Sequence, residues 1–158
     1  MRQPKYSQKE IERRWIVAPH HLAAYENKPY RDIEDTYINE TMLRLRKVTD
    51  PVGVVTYKLC KKYGRDGSLI NPITNIYLSE AEYLLLSALH GLHVSKRRYA
   101  AAEGVLDIYP GPLRMAVFEI EFDSDQAAAI YDPPAFAGEE VTDNPAYSGL
   151  ALAAWFSS

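Results

Sequence analysis

The chain has 158 residues, of which 47% are hydrophobic and 25% are charged, as expected for one ordinary globular domain. Lys and Arg total 18 against 21 Asp and Glu, and the net charge is -3. The molecule as a whole therefore has no positive field that would attract a nucleic-acid polymer or an acidic membrane. We expect neither among its partners, and any anion-binding site must be local.

The cysteine content and the lengths of the apolar segments indicate in which cellular compartment the protein is expected. A single cysteine, Cys60, cannot build a disulfide framework, and the first ten residues lack the apolar segment of a secretion signal. No apolar stretch approaches the roughly 20 residues that a membrane helix needs. We therefore expect a cytoplasmic protein with a single domain over residues 1–158.

The first half of the chain is rich in predicted strands. A strand is predicted at residues 10–17, and a short helix follows at residues 20–26. After a loop through Tyr30, one strand-like run covers residues 37–47 and another covers residues 53–61. The glycines within residues 63–67 indicate a hairpin turn, and a strand follows at residues 73–78.

The second half alternates helices and strands. Ser79 predicts the start of a helix because Glu82 follows three residues later, and Leu84–Leu86, Ala88 and Leu89 are expected to form its buried face. Strands are predicted at residues 94–99, 105–109 and 115–122. Short helices are predicted from Ser124 to Tyr131 and after Pro145.

Four predicted strands each carry two like charges separated by one residue. Because side chains alternate along a strand, both members of a pair point to the same side. A single pair would indicate only a solvated polar face, but four pairs favour a sheet with apolar residues and helices on one face and charges on the other. The pairs are Glu10/Glu12, Arg44/Arg46, Lys96/Arg98 and Glu119/Glu121.

Such a sheet can remain open to water, or it can close into a barrel with a charged lumen. Six basic and four acidic residues on this face sum to +2, and one divalent cation would bring the sum to +4. This approaches the roughly -4 to -5 of a triphosphate. Carboxylates suit Mg²⁺ or Mn²⁺ and guanidinium groups suit phosphate oxygens. The set is Arg14, Arg44, Arg46, Lys58, Lys96 and Arg98 with Glu10, Glu12, Glu119 and Glu121.

Several short motifs follow one another along most of the chain. They are Glu10-Ile11-Glu12-Arg13-Arg14, Arg44-Leu45-Arg46, Thr56-Tyr57-Lys58, Lys96-Arg97-Arg98, Leu106-Asp107-Ile108-Tyr109-Pro110-Gly111, Phe118-Glu119-Ile120-Glu121-Phe122 and Gly138-Glu139-Glu140-Val141-Thr142. One such motif would be weak evidence, whereas their shared order is specific. The series resembles the CYTH domain family, also called the triphosphate tunnel metalloenzymes.

The resemblance implies an α+β fold, in which an eight-stranded antiparallel barrel forms a tunnel and helices pack outside. In this family basic side chains hold a triphosphate and glutamates hold Mg²⁺ or Mn²⁺. By position, the implied metal ligands are Glu10, Glu12, Glu119 and Glu121, and the implied phosphate ligands are Arg44, Arg46, Lys58, Lys96 and Arg98. Glu140 would support the basic residues or metal waters, and Arg14 with Tyr37 would be the catalytic pair that activates water.

Two positions depart from the family pattern. Arg14 stands where the family has the lysine that acts with tyrosine, so we expect slow hydrolysis. Residues 73–76 replace a strand that commonly carries further acidic residues, so fewer carboxylates are available for a second metal ion. Lys61, Lys62 and Arg65 surround the predicted hairpin and are interpreted as a solvated turn, with a position at the tunnel mouth as the alternative.

The activities known in the family are those of inorganic triphosphatase, thiamine triphosphatase, RNA triphosphatase and adenylate cyclase. We expect metal-dependent hydrolysis of inorganic triphosphate or a related triphosphate-bearing small molecule, because no insertion stands out that would read a nucleobase or an RNA end. A class IV-type adenylate cyclase and a non-catalytic polyphosphate- or nucleotide-binding module are the alternatives. The expected partners are a small-molecule triphosphate or nucleotide and, as one option, a second copy of the chain in a homodimer.

Overall fold

The computed structural model describes residues 3–65, 69–111 and 114–157, and within them nine strands form one antiparallel sheet. The strands are β1 (Gln8–Val17), β2 (Tyr30–Ile38), β3 (Leu43–Thr49), β4 (Val55–Lys62), β5 (Ile70–Leu78), β6 (Gly91–Ala101), β7 (Gly104–Ile108), β8 (Ala116–Glu121) and β9 (Ala137–Glu140). The helices are α1 (Glu80–Ser87), α2 (Asp125–Ile130) and α3 (Gly149–Phe156), with short 3-10 helices at Pro19–Tyr25 and Pro145–Tyr147.

Eight of these strands close into a barrel in the described part of the chain. Their order is β5-β4-β3-β2-β6-β7-β8-β1, and β1 returns to pair with β5 through residues 8–11. The remaining edge of β1 pairs with β9, which lies outside the barrel. The α+β fold and the eight-stranded antiparallel barrel predicted from the sequence are confirmed.

The two sides of the barrel wall differ in chemistry. Trp15, Tyr99, Leu106 and Phe118 point outward and pack with Leu22 of the first 3-10 helix in a buried apolar cluster. The alternate residues of the same strands point into the lumen, where several charged side chains are buried. The strand alternation therefore places the apolar core outside the wall and the charges inside it.

Helix α3 lies over one end of the lumen. Leu152 and Ala153 of this helix are buried against Val94 and Val117, two lumen-facing residues of β6 and β8. Phe156 stacks on Tyr109, with ring centroids 5.4 Å apart. The last helix thus provides an apolar floor beneath the charged part of the lumen.

Two predictions about elements were wrong. The run at residues 37–47 is two strands, because the chain turns between Ile38 and Leu43, and β2 already begins at Tyr30. None of the α1 residues is buried, so its leucines form no buried face; Leu85 is 77% exposed. The strand β9 was not predicted.

Other elements follow the prediction closely. Ser79 caps α1, with Glu82 completing the capping box, and Ser124 caps α2. The turn predicted at residues 63–67 includes residues 66 and 67, which lie outside the described residues. Within the described residues, no helix has both the length and the apolar composition needed to span a membrane.

Candidate functional site

The lumen-facing arginines of β3 are held by an aspartate of β2. Arg46 donates from Nε and Nη2 to the two carboxylate oxygens of Asp35, at 2.6 and 2.7 Å. The Nε of Arg44 lies 3.9 Å from Asp35 and is buried without a hydrogen-bond partner in the described structure. Asp35 thus holds the Arg46 guanidinium by two hydrogen bonds, whereas the Nε donor of Arg44 has no such partner in the described residues and could serve a ligand.

A second aspartate, Asp107 on β7, orients the basic pair of β6. Arg98 donates to both oxygens of Asp107, at 2.6 and 2.7 Å, and Lys96 forms an ion pair with the same carboxylate. Arg98 also bonds to Glu119 of β8 at 2.7 Å. Asp107 is fully buried, so it acts as a fixed internal counterion for both cations.

Arg14 on β1 completes this network. Its Nε donates to Glu119 at 3.0 Å, and its Nη1 donates to the carbonyl oxygen of Tyr147, just before α3, at 2.6 Å. The side chain is buried, and the neighbouring carboxylates Glu119 and Glu12 raise the pKa of this guanidinium although burial opposes them. Arg14 is therefore a permanently charged group that cannot accept a proton.

Glu10 and Glu12 of β1 meet a lysine from β4. The Lys62 Nζ lies 2.5 Å from a carboxylate oxygen of Glu10 and 3.7 Å from one of Glu12. Arg65 also approaches Glu12, at 3.8 Å. The interpretation of Lys62 and Arg65 as part of a solvated turn was wrong, because both reach the carboxylates of the lumen.

The two kinds of carboxylate differ in their ionisation. Burial alone would raise the pKa of Asp35, but its hydrogen bond and ion pair with Arg46 lower that pKa to about 2. The pKa of Glu119 is likewise well below its usual value, because Lys96, Arg14 and Arg98 outweigh burial. Both side chains are firmly anionic counterions.

Glu12 behaves in the opposite way. Burial raises its pKa, and the nearby Glu119 and Glu10 raise it further, although Lys62 lowers it. Burial is therefore the main cause of the raised pKa, and Lys62 is the neighbouring cation that opposes it most. An additional cation at this place would be stabilised by the same carboxylates.

Tyr37 of β2 lies beside Arg44 at the α3 end of the lumen. Burial raises the pKa of its phenol, and the neighbouring Arg44 partly offsets this. A β-carbon at Gly149 of α3 would lie 1.9 Å from the Tyr37 hydroxyl, so glycine is needed at that position. Tyr109, which the sequence reasoning did not consider as a site residue, also contributes to the raised pKa of Arg14.

Two further predicted site residues, Lys58 and Glu121, lie on the lumen side of their strands. Lys58 faces the lumen side in register with Arg46, and its Nζ lies 4.9 Å from the ring centroid of Tyr77, which is 70% exposed. Glu121 pairs in register with Glu12 and is exposed. These two residues therefore belong to the more solvated part of the lumen.

Glu140 lies on the outside of the barrel. It accepts two hydrogen bonds from Arg13, at 2.8 and 2.7 Å, and one from Thr142 at 2.7 Å. Arg13 belongs to the outward-facing side of β1. Glu140 was predicted to support the basic residues or metal waters. In the structure its carboxylate bonds to Arg13 and fastens β9 to β1.

The sequence analysis did not assign Asp35, Asp107 or Lys62 to the site. Asp35 lies two residues before Tyr37, and alternation would have placed it in the lumen if β2 had been recognised as a separate strand. Asp107 was noticed in a motif without being given a role. The spacing between Lys58 and Lys62 is also compatible with one face of a strand.

Whether the lumen suits a divalent cation depends on its acidic groups. Glu10 and Glu12 offer oxygen ligands, which Mg²⁺ and Mn²⁺ prefer. In residues 3–65, 69–111 and 114–157, no three acidic, histidine or cysteine side chains converge on a single metal position. The donor chemistry of the two carboxylates fits, with the Lys62 ammonium lying beside them.

A cavity of about 710 Å³ lies along β2, β6 and the segment around Tyr109, and Lys96 of the network lines it. Asp32 and Arg97 also line it and form an ion pair at 3.8 Å, as do Glu26 and Arg114 at 3.9 Å. Each cation that lines this cavity is therefore paired with a carboxylate, and Lys96 is paired with Asp107.

Known proteins of similar sequence and structure exist. The inorganic triphosphatase of Nitrosomonas europaea is 31% identical to the chain over 152 residues, covering 91% of the chain and 96% of the relative. A crystal structure of an inorganic triphosphatase has a TM-score of 0.56 at 25% identity and covers 91% of this chain and 93% of that chain. The crystal structure of a hypothetical protein has a TM-score of 0.56 at 26% identity, covering 91% and 97%. A scan against family models finds no match.

Proposed function

Because the chain belongs to the CYTH family, the triphosphate tunnel metalloenzymes, we propose that it hydrolyses inorganic triphosphate or a related triphosphate-bearing small molecule inside the barrel. The observation that carries the proposal is the array of buried cations that Asp35, Asp107 and Glu119 hold in fixed positions. Such fixed donors stabilise a polyanion without the cost of ordering them at the time of binding. The similar protein from Nitrosomonas europaea is an inorganic triphosphatase, which supports the same substrate class.

We assign the phosphate contacts to the basic residues on the lumen face. Arg46 and Arg98 keep further guanidinium donors beyond those that their aspartates use, and the Arg44 Nε has no partner in the described structure. Lys96 adds a buried ammonium beside Arg98. Lys58 would meet the part of the ligand nearest the solvent.

Glu10 and Glu12 would hold a divalent cation, with Glu121 nearby on the same face. When bound, Mg²⁺ or Mn²⁺ supplies positive charge for phosphate oxygens that the carboxylates would otherwise repel. Glu119 was proposed as a further ligand, but its two arginine contacts make it first of all a counterion for Arg14 and Arg98.

Of the tasks that hydrolysis requires, activation of water is the one that the residues of this lumen support least. Arg14 binds and orients phosphate but cannot take a proton, and Tyr37 is buried with a raised pKa. We therefore propose slow turnover with an alkaline optimum. The same observation favours a second candidate function, in which the barrel binds a polyphosphate or nucleotide without cleaving it.

The purified protein should be tested with inorganic triphosphate, thiamine triphosphate, ATP and long polyphosphate, each with Mg²⁺ and Mn²⁺. Hydrolysis of triphosphate consumes water and yields orthophosphate and pyrophosphate. A cyclase would instead convert ATP to pyrophosphate and a cyclic nucleotide. Calorimetric binding of triphosphate without phosphate release would support the binding module and contradict the enzymatic proposal.

A further inference from the structure

Lys62 takes the place next to Glu10 and Glu12 at which a cation is expected. Its Nζ is 2.5 Å from Glu10 and 3.7 Å from Glu12, and both carboxylate side chains are largely buried, with 12% and 15% exposure. The Lys62 side chain itself is 35% exposed. The ammonium can therefore leave this position through solvent, whereas the carboxylates stay fixed on β1.

The absence of acidic residues on β5 explains why Lys62 reaches so far. In register, Lys62 lies opposite Ile73 of β5, and Ile73 in turn lies opposite Gln8 of β1. No carboxylate of β5 is thus directly opposite Lys62. Its flexible side chain extends past β5 to the carboxylate of Glu10 on β1.

Lys62 lies on the same face of β4 as Lys58, which is in register with Arg46 of β3. The Lys62 ammonium therefore faces the lumen that also holds the arginines of β3. A lysine is a point charge on a flexible stem, so it can move between two anionic partners more readily than a guanidinium held by two bonds.

We propose that Lys62 is a built-in counterion of Glu10 and Glu12 in the metal-free protein and transfers to a phosphate oxygen when a divalent cation binds these carboxylates. This inference rests on the proposed function, because it assumes that the lumen receives both a metal ion and a triphosphate. The two ligands then bind with mutual dependence. Metal binding releases a cation for the phosphate, and phosphate binding removes a competitor of the metal.

The competition can be measured with Mn²⁺ alone. Electron paramagnetic resonance of free Mn²⁺ gives its affinity for the wild type, Lys62→Met and the matched control Lys61→Met. Lys61 is the neighbouring residue on the opposite face of β4, with its Nζ 5.2 Å from the Tyr63 ring centroid. We expect Lys62→Met to bind Mn²⁺ about tenfold more tightly than the wild type, a typical coupling between two sites, and Lys61→Met to match the wild type.

An equal or weaker Mn²⁺ affinity in Lys62→Met would overturn the proposal. A second measurement uses the unaltered protein, in case Lys62→Met folds poorly. With ¹⁵N-labelled lysine, the Nζ resonance of Lys62 should shift when diamagnetic Mg²⁺ is added, and a resonance that stays in place would equally overturn the proposal.

Failure of this inference is distinguishable from failure of the proposed function. If triphosphate is hydrolysed but Mn²⁺ affinity does not depend on Lys62, only the counterion role is wrong. If Lys62→Met binds Mn²⁺ more tightly but the wild type releases no phosphate, the counterion role stands and the hydrolase function does not.

Discussion

Arg14 shows how one side chain sets the chemistry available to the lumen. Its guanidinium is fixed between Glu119 and the carbonyl of Tyr147, and its pKa is raised by the neighbouring carboxylates. A lysine at this position could lose its proton within an accessible pH range, whereas a guanidinium remains charged. Arg14 can therefore bind phosphate strongly while contributing nothing to deprotonating water.

We predict that Arg14→Lys raises kcat and moves the pH optimum toward neutrality. The measurement is a pH–rate profile for triphosphate hydrolysis. The matched control is Arg13→Lys, because Arg13 lies on the outer face and pairs with Glu140, so this change should leave the profile unaltered. If the wild type already turns over rapidly near pH 7 and Arg14→Lys slows it, then Arg14 only positions the substrate.

Asp35 links the binding array to acid stability. Its pKa is lowered to about 2, so the native state holds it ionised at pH values where the unfolded chain takes up a proton. The stability that this provides is present above the unfolded pKa, near 3.8, and is lost as the pH falls toward 2. From the size of the shift it amounts to about 2 kcal/mol.

We predict that Asp35→Asn is less stable than the wild type at pH 7 and that the difference narrows by about 2 kcal/mol between pH 5 and pH 2. Chemical denaturation across this range is the measurement. Glu34→Gln is the control, because Glu34 pairs with Lys47 at an exposed position and should show no such narrowing. A constant difference for Asp35→Asn would show that its carboxylate is not the acid-sensitive group.

The charged pairs on strands could be predicted residue by residue, but their counterions could not. Alternation places Arg44 and Arg46 on one face from spacing alone. The pairing of Arg46 with Asp35, and of Arg98 with Asp107, depends on which strands are neighbours and in what register. A single sequence does not carry that information. The two added aspartates are offset by Lys62 and Arg65, so the summed charge of the lumen residues stays as the sequence count indicated.

At the scale of elements, α3 is as important to the site as the strands. It supplies the apolar floor of the lumen, and Gly149 at its start lies against the Tyr37 hydroxyl. Changing a helical glycine to alanine usually favours the helix by up to about 1 kcal/mol. At this position the added carbon would collide with a buried ring.

We therefore predict that Gly149→Ala lowers stability by about 1 to 3 kcal/mol, as overpacking does. Thermal unfolding measures it. Introducing Tyr37→Phe into the same background should recover part of the loss, because it removes the atom that lies closest to the added carbon. A stabilising effect of Gly149→Ala, or no recovery with Tyr37→Phe, would mean that α3 does not rest on Tyr37.

The predicted helices show where local patterns succeed and fail. Ser79 and Ser124 identified helix starts correctly, because capping is a local interaction. The leucines of α1 were expected to be buried, but an apolar run alone does not say whether another element covers it. Likewise, the turn between β2 and β3 has no glycine or proline, so the run of residues appeared continuous.

The whole molecule reverses the usual arrangement of a core. Its apolar cluster lies outside the barrel wall around Trp15 and Phe118, while ionised side chains fill the interior. Buried ion pairs stabilise a fold weakly against apolar packing, so this interior is better explained by ligand binding than by stability. The family could be recognised because its charged motifs follow one another in order along the chain, and the barrel was predicted from that resemblance. The charge pairs alone left an open sheet possible, and closure through β1 and β5 is visible only in three dimensions.

The central claim is that triphosphate is bound and hydrolysed inside the barrel. Arg46 and Lys47 are consecutive residues of β3 that face the lumen and the exterior. Orthophosphate release from subsaturating triphosphate with Mn²⁺ should be measured side by side for the wild type, Arg46→Ala and Lys47→Ala, with folding checked by circular dichroism. We predict equal rates for the wild type and Lys47→Ala, and a loss of about ten- to hundredfold in Arg46→Ala, as expected for a charge-assisted contact. No release by the wild type, or equal rates for the two variants, would contradict the account.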